Sequence, residues 1–165
     1  MSFDIRQAAE EDITALYTLY DKIGKKDDGY FEACFEKDCL ILIISKEETD
    51  IGFGILNFEP KYSLYQKLEI PEIQDLNIIP DARQQGAATA LLEAFENIVR
   101  DQGIECVGIS VGLTKDYGAA QRLYIKQGYV PDGYGITYDR EGVTAGVSYP
   151  ADDDLALMLI KDLQE

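Results

Sequence analysis

The chain has no histidine and no tryptophan, only three cysteines and five prolines, and 15 basic residues against 31 acidic ones. Each scarcity removes a class of function. Without histidine, the commonest metal ligand and the commonest general base near neutral pH are both missing. The cysteines, Cys34, Cys39 and Cys106, are odd in number and form no Cys-x-x-Cys pair. That argues against a disulfide framework and against a thiolate zinc site, so no metal is expected and reduced thiols in a cytoplasmic protein are. The formal net charge of −16 leaves no basic face for nucleic acid or an anionic membrane surface. No apolar run reaches bilayer length. The opening Met1-Ser2-Phe3-Asp4-Ile5-Arg6 lacks the apolar stretch of a secretory signal.

What is present is 165 residues, enough for a single domain spanning 1–165 with one sizeable core. A short strand is expected over residues 3–7. Glu10, Glu11 and Asp12 then put acid in the first turn of a helix, and Ile13, Leu16, Tyr17 and Tyr20 form its apolar stripe. A second helix follows over 30–37. Continuous apolar runs at 40–45 and 51–58 read as buried strands joined in a hairpin. Residues 60–71, bounded by Pro60 and Pro71, read as loop or irregular helix. A strand over 72–79, a helix over 87–101, a strand over 104–111, a helix over 117–127 and a strand from Tyr129 come next. Residues 131–135 are turn-rich, 142–154 read as a long loop, and 155–160 as the last strand. The sum is an α+β chain, a mixed and mostly antiparallel sheet of about seven strands with about four helices on its two faces. No repeat or interdomain linker interrupts it.

The most informative segment is Arg83-Gln84-Gln85-Gly86-Ala87-Ala88. It lies between the strand over 72–79, closed by Pro80-Asp81, and a helix carrying Ala88, Leu91, Leu92, Phe95, Ile98 and Val99 on one apolar stripe. Strand, glycine turn and helix start present unpaired backbone N–H groups to an anion. Gly86 admits a close approach that a Cβ would block. Charge follows the same logic. Residues 83–126 hold Arg83, Arg100, Lys115, Arg122 and Lys126 against Glu93, Glu96, Asp101, Glu105 and Asp116. That segment is neutral, so the rest of the chain carries the entire net charge of −16.

The hexapeptide resembles the acyl-CoA pyrophosphate loop of the GNAT N-acetyltransferase superfamily. Three more features resemble that family: the preceding run from Glu72 through Ile79 to Pro80, the continuation Ala90-Leu91-Leu92, and a second block, Ala119-Ala120-Gln121-Arg122-Leu123-Tyr124-Ile125-Lys126-Gln127-Gly128-Tyr129, in the family's order and spacing. The resemblance covers most of the chain and implies a GNAT-like fold. It implies acetyl-CoA as co-substrate and an amine as acceptor, attacked directly in a ternary complex.

What the resemblance implies for single residues is specific. The N–H groups around Gln84, Gln85, Gly86, Ala87, Ala88 and Thr89 would bind the pyrophosphate, with Arg83 adding a charged contact. The backbone at Leu76 and Ile78 would hold the pantetheine arm, and Tyr117 would cover it. Tyr124 would protonate the departing sulfur. Glu72 would accept the amine's proton, with Asp75 as second choice and an ordered water as a third route. By strand alternation Glu72, Gln74, Leu76 and Ile78 share a face, and Asp75 points the other way. Another subgroup, including the ribosomal-protein alanine acetyltransferases, carries a glutamate on the following strand, where this chain has Ser110.

The acceptor pocket is expected from the first helix–loop–helix, the 60–71 segment and the 131–154 loop. These hold Tyr30, Tyr62, Tyr65, Tyr134, Tyr138 and Tyr149 with Asp27, Asp28, Glu59, Asp139 and Glu141. Aromatic walls with carboxylates suit an ammonium-bearing acceptor, a small cationic amine ahead of a protein amine. A homodimer is a partner the resemblance admits; the sequence shows no interface for one. The competing class is a non-catalytic acyl-CoA-binding module that keeps the phosphate loop without the chemistry. A Rossmann dinucleotide binder is disfavoured, because its loop needs Gly-x-Gly-x-x-Gly and this one has a single glycine.

Overall fold

The computed structural model describes residues 2–164. Their element order is β1 (Asp4–Gln7), a 3-10 turn, α1 (Ile13–Lys22), α2 (Tyr30–Glu36), β2 (Cys39–Lys46), β3 (Thr49–Asn57), α3 (Ser63–Leu68) and β4 (Glu72–Ile78). It continues with a second 3-10 turn, α4 (Ala87–Asp101), β5 (Cys106–Gly112), a third 3-10 turn, α5 (Gly118–Lys126), β6 (Val130–Tyr138), β7 (Glu141–Gly142) and β8 (Leu155–Asp162). The α+β class is as the sequence implied. The counts are corrected: eight strands and five α-helices among the described residues, against about seven and about four expected. The extra helix is α3, one and a half turns inside the 60–71 segment, and the extra strand is the two-residue β7.

The chain forms two compact units, one from residues 1–58 and 73–98, the other from 59–72 and 99–165. In the first, the strand order is β1-β2-β3-β4, and β2 pairs antiparallel with both β1 and β3. Its core joins Leu16, Leu19 and Tyr20 of α1 and Phe31 and Cys34 of α2 to Ile41, Ile43, Phe53 and Ile55 of the hairpin. Helical spacing on one side and strand alternation on the other bring these side chains to one layer. The strand reading of residues 40–45 and 51–58 holds because both strands are buried along most of their length.

In the second unit the strand order is β5-β8-β6-β7, with antiparallel pairing throughout. Its core gathers Tyr62, Tyr65, Ile70 and Met158. The turn-rich segment 131–135 lies inside β6, where the register against β8 jumps between Pro131 and Ile136. Proline and glycine mark a bulge here, not the end of a strand. Residues 143–154 carry no helix or strand, as expected of the long loop.

Strand β5 has two unlike faces. Val107, Ile109 and Val111 are buried on one. Gly108, Ser110 and Gly112 alternate onto the other. A Cβ on Gly108 would lie 2.3 Å from the Tyr65 ring, and one on Gly112 would lie 2.4 Å from the Tyr117 ring. The two glycines therefore seat two tyrosines directly against the strand.

Candidate active site

In the first unit, β4 ends, turns through Pro80–Ala82, and enters α4 by way of residues 83–86. Gln84 and Gly86 have φ of +62° and +90°. The second of these is the conformation for which glycine is needed. The first helical bond runs from the Ala90 N–H to the Gly86 carbonyl at 3.0 Å. The N–H groups of Ala87, Ala88 and Thr89 precede it and face outward along a 15-residue helix axis. Ala87 is buried and Ala88 and Thr89 are half-buried, while Arg83, Gln84 and Gly86 are exposed. Arg83 Nε donates to the Ile78 carbonyl at 2.9 Å, which anchors the arginine to the strand it follows. Lys46, at the end of β2, donates from Nζ to Gln85 Oε1 at 2.7 Å and brings a second cation to the loop.

Ile78 is buried, and Leu76 is half-buried against the sheet. Cβ atoms built on Gly54 and Gly52 would come within 3.0 Å of Leu76 Cδ1 and 2.5 Å of Ile78 Cδ1. Only their backbone remains for binding. Asp75 interrupts the strand with φ of +51°. A left-handed residue breaks period-two alternation, so the expectation that Glu72 shares a face with Leu76 and Ile78 does not follow. The Asp75 carboxylate accepts from the Tyr30 hydroxyl at Oδ2 and lies 3.6 Å from Lys25 Nζ at Oδ1. Burial, then the Asp75 charge, pushes the Tyr30 hydroxyl far above its ordinary range, so the proton in that bond stays on tyrosine.

In the second unit, Glu72 is fully buried. Arg140 Nη2 donates to its Oε2 at 2.8 Å and stands 3.4 Å from Ser110 Oγ. Glu72 Oε1 is buried and has no hydrogen-bond partner among the described residues. Tyr124, on α5, is 6% exposed, with its ring 6.2 Å from that of Tyr129. Tyr117 donates to Asp153 Oδ1 at 2.7 Å while its ring covers Gly112. An open depression on α5 is lined by residues such as Gln121, Arg122 and Lys126 and does not include Tyr124.

Several tyrosines named as acceptor-pocket walls spend their hydroxyls on protein acceptors. Tyr62 donates to Asp132 at 2.5 Å, Tyr138 to Asp152 at 2.7 Å, and Tyr65 to the Leu159 carbonyl. The Asp152 bond pushes the Tyr138 hydroxyl up to about 12, and burial pushes Tyr62 higher still. Asp139 pairs with Lys61 at 2.9 Å.

Two residues escaped the sequence reading. Arg140 had a signal: it is the one basic residue between Gln127 and Ile160, among Asp132, Asp139, Glu141, Asp152, Asp153 and Asp154. Lys46 had none, since it sits in a charged hairpin end beside Glu47 and Glu48.

Comparison with known proteins bears on the whole assembly of features. A sequence model described as the Acetyltransferase (GNAT) family matches residues 6–129. An uncharacterized N-acetyltransferase, YhfO, of Bacillus subtilis (strain 168) is 24% identical over 139 residues, 78% of this chain and 91% of that one. The aminoalkylphosphonate N-acetyltransferase of Salmonella typhimurium is 23% identical over 141 residues, 81% of this chain and 89% of that one. Among solved structures, the ribosomal-protein-S18-alanine N-acetyltransferase from Escherichia coli superposes with a TM-score of 0.74 at 17% identity, covering 99% of this chain and 96% of that one. An acetyltransferase from Salmonella typhimurium, yncA, solved with its cofactor acetyl-CoA, gives 0.68 at 16% identity, covering 100% and 96%. With three quarters of its length matched by the family's own pattern, this chain belongs to the GNAT acetyltransferase family and is an acyltransferase.

Proposed function

We propose that the protein transfers the acetyl group of acetyl-CoA to a primary amine by direct attack in a ternary complex, and that residues 1–165 act as one catalytic domain. The observation that carries this reading is the loop at residues 83–89, where a left-handed Gly86 delivers outward-facing N–H groups at the head of α4. A structural neighbour solved with acetyl-CoA supports the choice of cofactor. The N–H groups of Gln85, Gly86, Ala87, Ala88 and Thr89 would hold the pyrophosphate, with Arg83 and Lys46 as charged partners. The backbone at Leu76 and Ile78 would align the pantetheine, and Tyr117 would cover it.

The chemistry follows from the second unit's residues. The acceptor enters as an ammonium, and Glu72 takes one of its protons. The freed nitrogen forms the C–N bond to the thioester carbonyl. The C–S bond breaks, and the CoA sulfur receives a proton from Tyr124. Tyr124 regains its proton from the nitrogen of the new amide, and the proton held by Glu72 is released once the products leave. The products are the N-acetyl amine, CoA thiol and one proton.

The acceptor is best read as a small cationic amine. The net negative charge carried outside residues 83–126 supports a cationic acceptor, and the relative named for aminoalkylphosphonate supports a small one. A cytoplasmic location is the reading that three free cysteines, odd in number, support.

The test is release of CoA thiol from acetyl-CoA across aminoglycosides, polyamines, amino acids, aminoalkylphosphonates and basic peptides, with Tyr124→Phe in parallel. Turnover with one amine class, lost in the variant while acetyl-CoA still binds, is expected. Thermal stabilisation by acetyl-CoA with no turnover on any amine would favour a binding-only module.

A further inference from the structure

We propose that Arg140 is a positioning residue for Glu72: it engages one carboxylate oxygen, Oε2, and thereby leaves the other, Oε1, as the atom that takes the acceptor's proton. The inference rests on the acetyltransferase reading above and adds to it a residue that the sequence analysis did not name.

Glu72 has no surface of its own, and its charge needs a partner inside the protein. The guanidinium of Arg140 supplies that charge through a single nitrogen, Nη2, at 2.8 Å from Oε2. Arginine–carboxylate pairs frequently make a two-pronged contact, which satisfies both oxygens. Here the contact is one-pronged: Glu72 Oε1 and Arg140 Nε are each buried without a hydrogen bond among the described residues, so the second prong is not formed. That oxygen is the one on Glu72 with acceptor capacity to spare.

The neighbourhood shows why the carboxylate lies there. The same Nη2 is 3.4 Å from Ser110 Oγ, so the side chains at 72 and 110 converge on one spot. Tyr65 covers Gly108 on one side of Ser110, and Tyr117 covers Gly112 on the other. The small side chain of Ser110 leaves the interval between the two rings to the Glu72–Arg140 pair. Tyr65 feels the Glu72 charge, after burial, as the next cause that raises its hydroxyl. The groups facing Glu72 are therefore Arg140 from the β6–β7 turn, Ser110 from β5 and Tyr65 from α3.

The turn that carries Arg140 is held on both sides. Asp139 and Arg140 both have positive φ, 48° and 63°. Lys61 grips Asp139 at 2.9 Å, and the Tyr138 hydroxyl is tied to Asp152 at 2.7 Å. Arg140 is thus delivered from a pinned reversal, as a residue that must hold another in place would be.

The test is a double-mutant cycle in kcat, with melting curves and the KM for acetyl-CoA measured on each protein. Arg140→Ala is expected to lower kcat about 100-fold, the scale of a misaligned reacting group, with the KM for acetyl-CoA unchanged. Added guanidinium should restore part of that loss. Glu72→Gln/Arg140→Ala, which leaves no uncompensated charge, should be no slower than Glu72→Gln alone. Wild-type kcat in Arg140→Ala overturns the inference alone. So does a double variant well below Glu72→Gln, since Arg140 would then act by another route, and so does a loss that ignores guanidinium. A wild-type protein inactive on every amine overturns the acetyltransferase reading, and this inference with it.

Discussion

Two carboxylates on β4, Glu72 and Asp75, lie three positions apart and live in opposite circumstances. Asp75 is 28% exposed at its side chain, with Oδ2 taken by the Tyr30 hydroxyl and Oδ1 facing Lys25. Glu72 is fully buried, with one oxygen held by Arg140 and the other without a partner. Both have a counter-charge; both Asp75 oxygens face a protein group, and Glu72 Oε1 has no hydrogen bond among the described residues. The lesson concerns valence more than acidity. At Asp75 each oxygen already faces a donor or a cation, and the residue accompanies a left-handed kink in the strand. A carboxylate with a site to spare can receive a proton from a substrate. The comparison favours Glu72 over Asp75 as the base.

The largest effect that would break this contrast is catalytic. Glu72→Gln should lower kcat by about 10²- to 10⁴-fold, the usual worth of a general base. Asp75→Asn should lower it less than about 10-fold by the same measure. The reverse ranking would move the base to Asp75, and steady-state kinetics on the best amine decides it.

Stability comes next. Glu72→Ala leaves a guanidinium without its anion. Breaking a fully buried pair costs about 3–5 kcal/mol, and Arg140 retains 28% exposure, so about 2 kcal/mol is expected in urea unfolding. A neutral result would mean that Arg140 swings to water without penalty.

Tyr30→Phe should cost about 1 kcal/mol for one lost hydrogen bond and leave kcat within about threefold. A kcat collapse would show that Asp75 acts through its tyrosine.

The smallest effect calibrates the others at the surface. Arg6 donates to Asp50 at 2.8 Å, with the two side chains 44% and 26% exposed. That hydrogen bond holds the Asp50 carboxyl below the ordinary carboxylate range, so the unfolded chain binds this proton more readily than the folded one. The stabilisation is complete above about pH 5 and vanishes as the pH falls through the depressed value. Asp50→Asn should therefore cost less than about 1 kcal/mol at pH 7 and nothing in strong acid, as chemical unfolding at the two pH values would read.

Much of this architecture was legible from local pattern. The α4 stripe, the glycine turn before it, the buried hairpin and the Tyr124 block depend on neighbours in sequence, and the expected elements formed there. The eye missed what depends on pairing across distance. Arg140 reaches Glu72 over 68 positions; its lone positive charge among carboxylates marks it, but nothing in the sequence marks Glu72 as its partner. Asp75, Gln84 and Arg140 take positive φ without being glycine, so no residue type flagged those kinks. Residues 131–135 looked like a strand's end because bulges and turns use the same glycines and prolines. The six-residue α3 was too short for helical periodicity to separate it from loop.

The seat of Tyr65 has a consequence for how this chain can change over generations. Gly108 leaves 2.3 Å between a would-be Cβ and the tyrosine ring, so no single substitution at 108 that adds a side chain is tolerated while residue 65 stays aromatic. Position 65 belongs to the 59–72 segment, and that segment also supplies Glu72. Drift at a strand glycine is thereby chained to drift in the insertion and, through it, to the residue proposed for proton transfer. The two positions should be inherited as a pair: glycine with tyrosine, or a larger residue at 108 with a smaller one at 65.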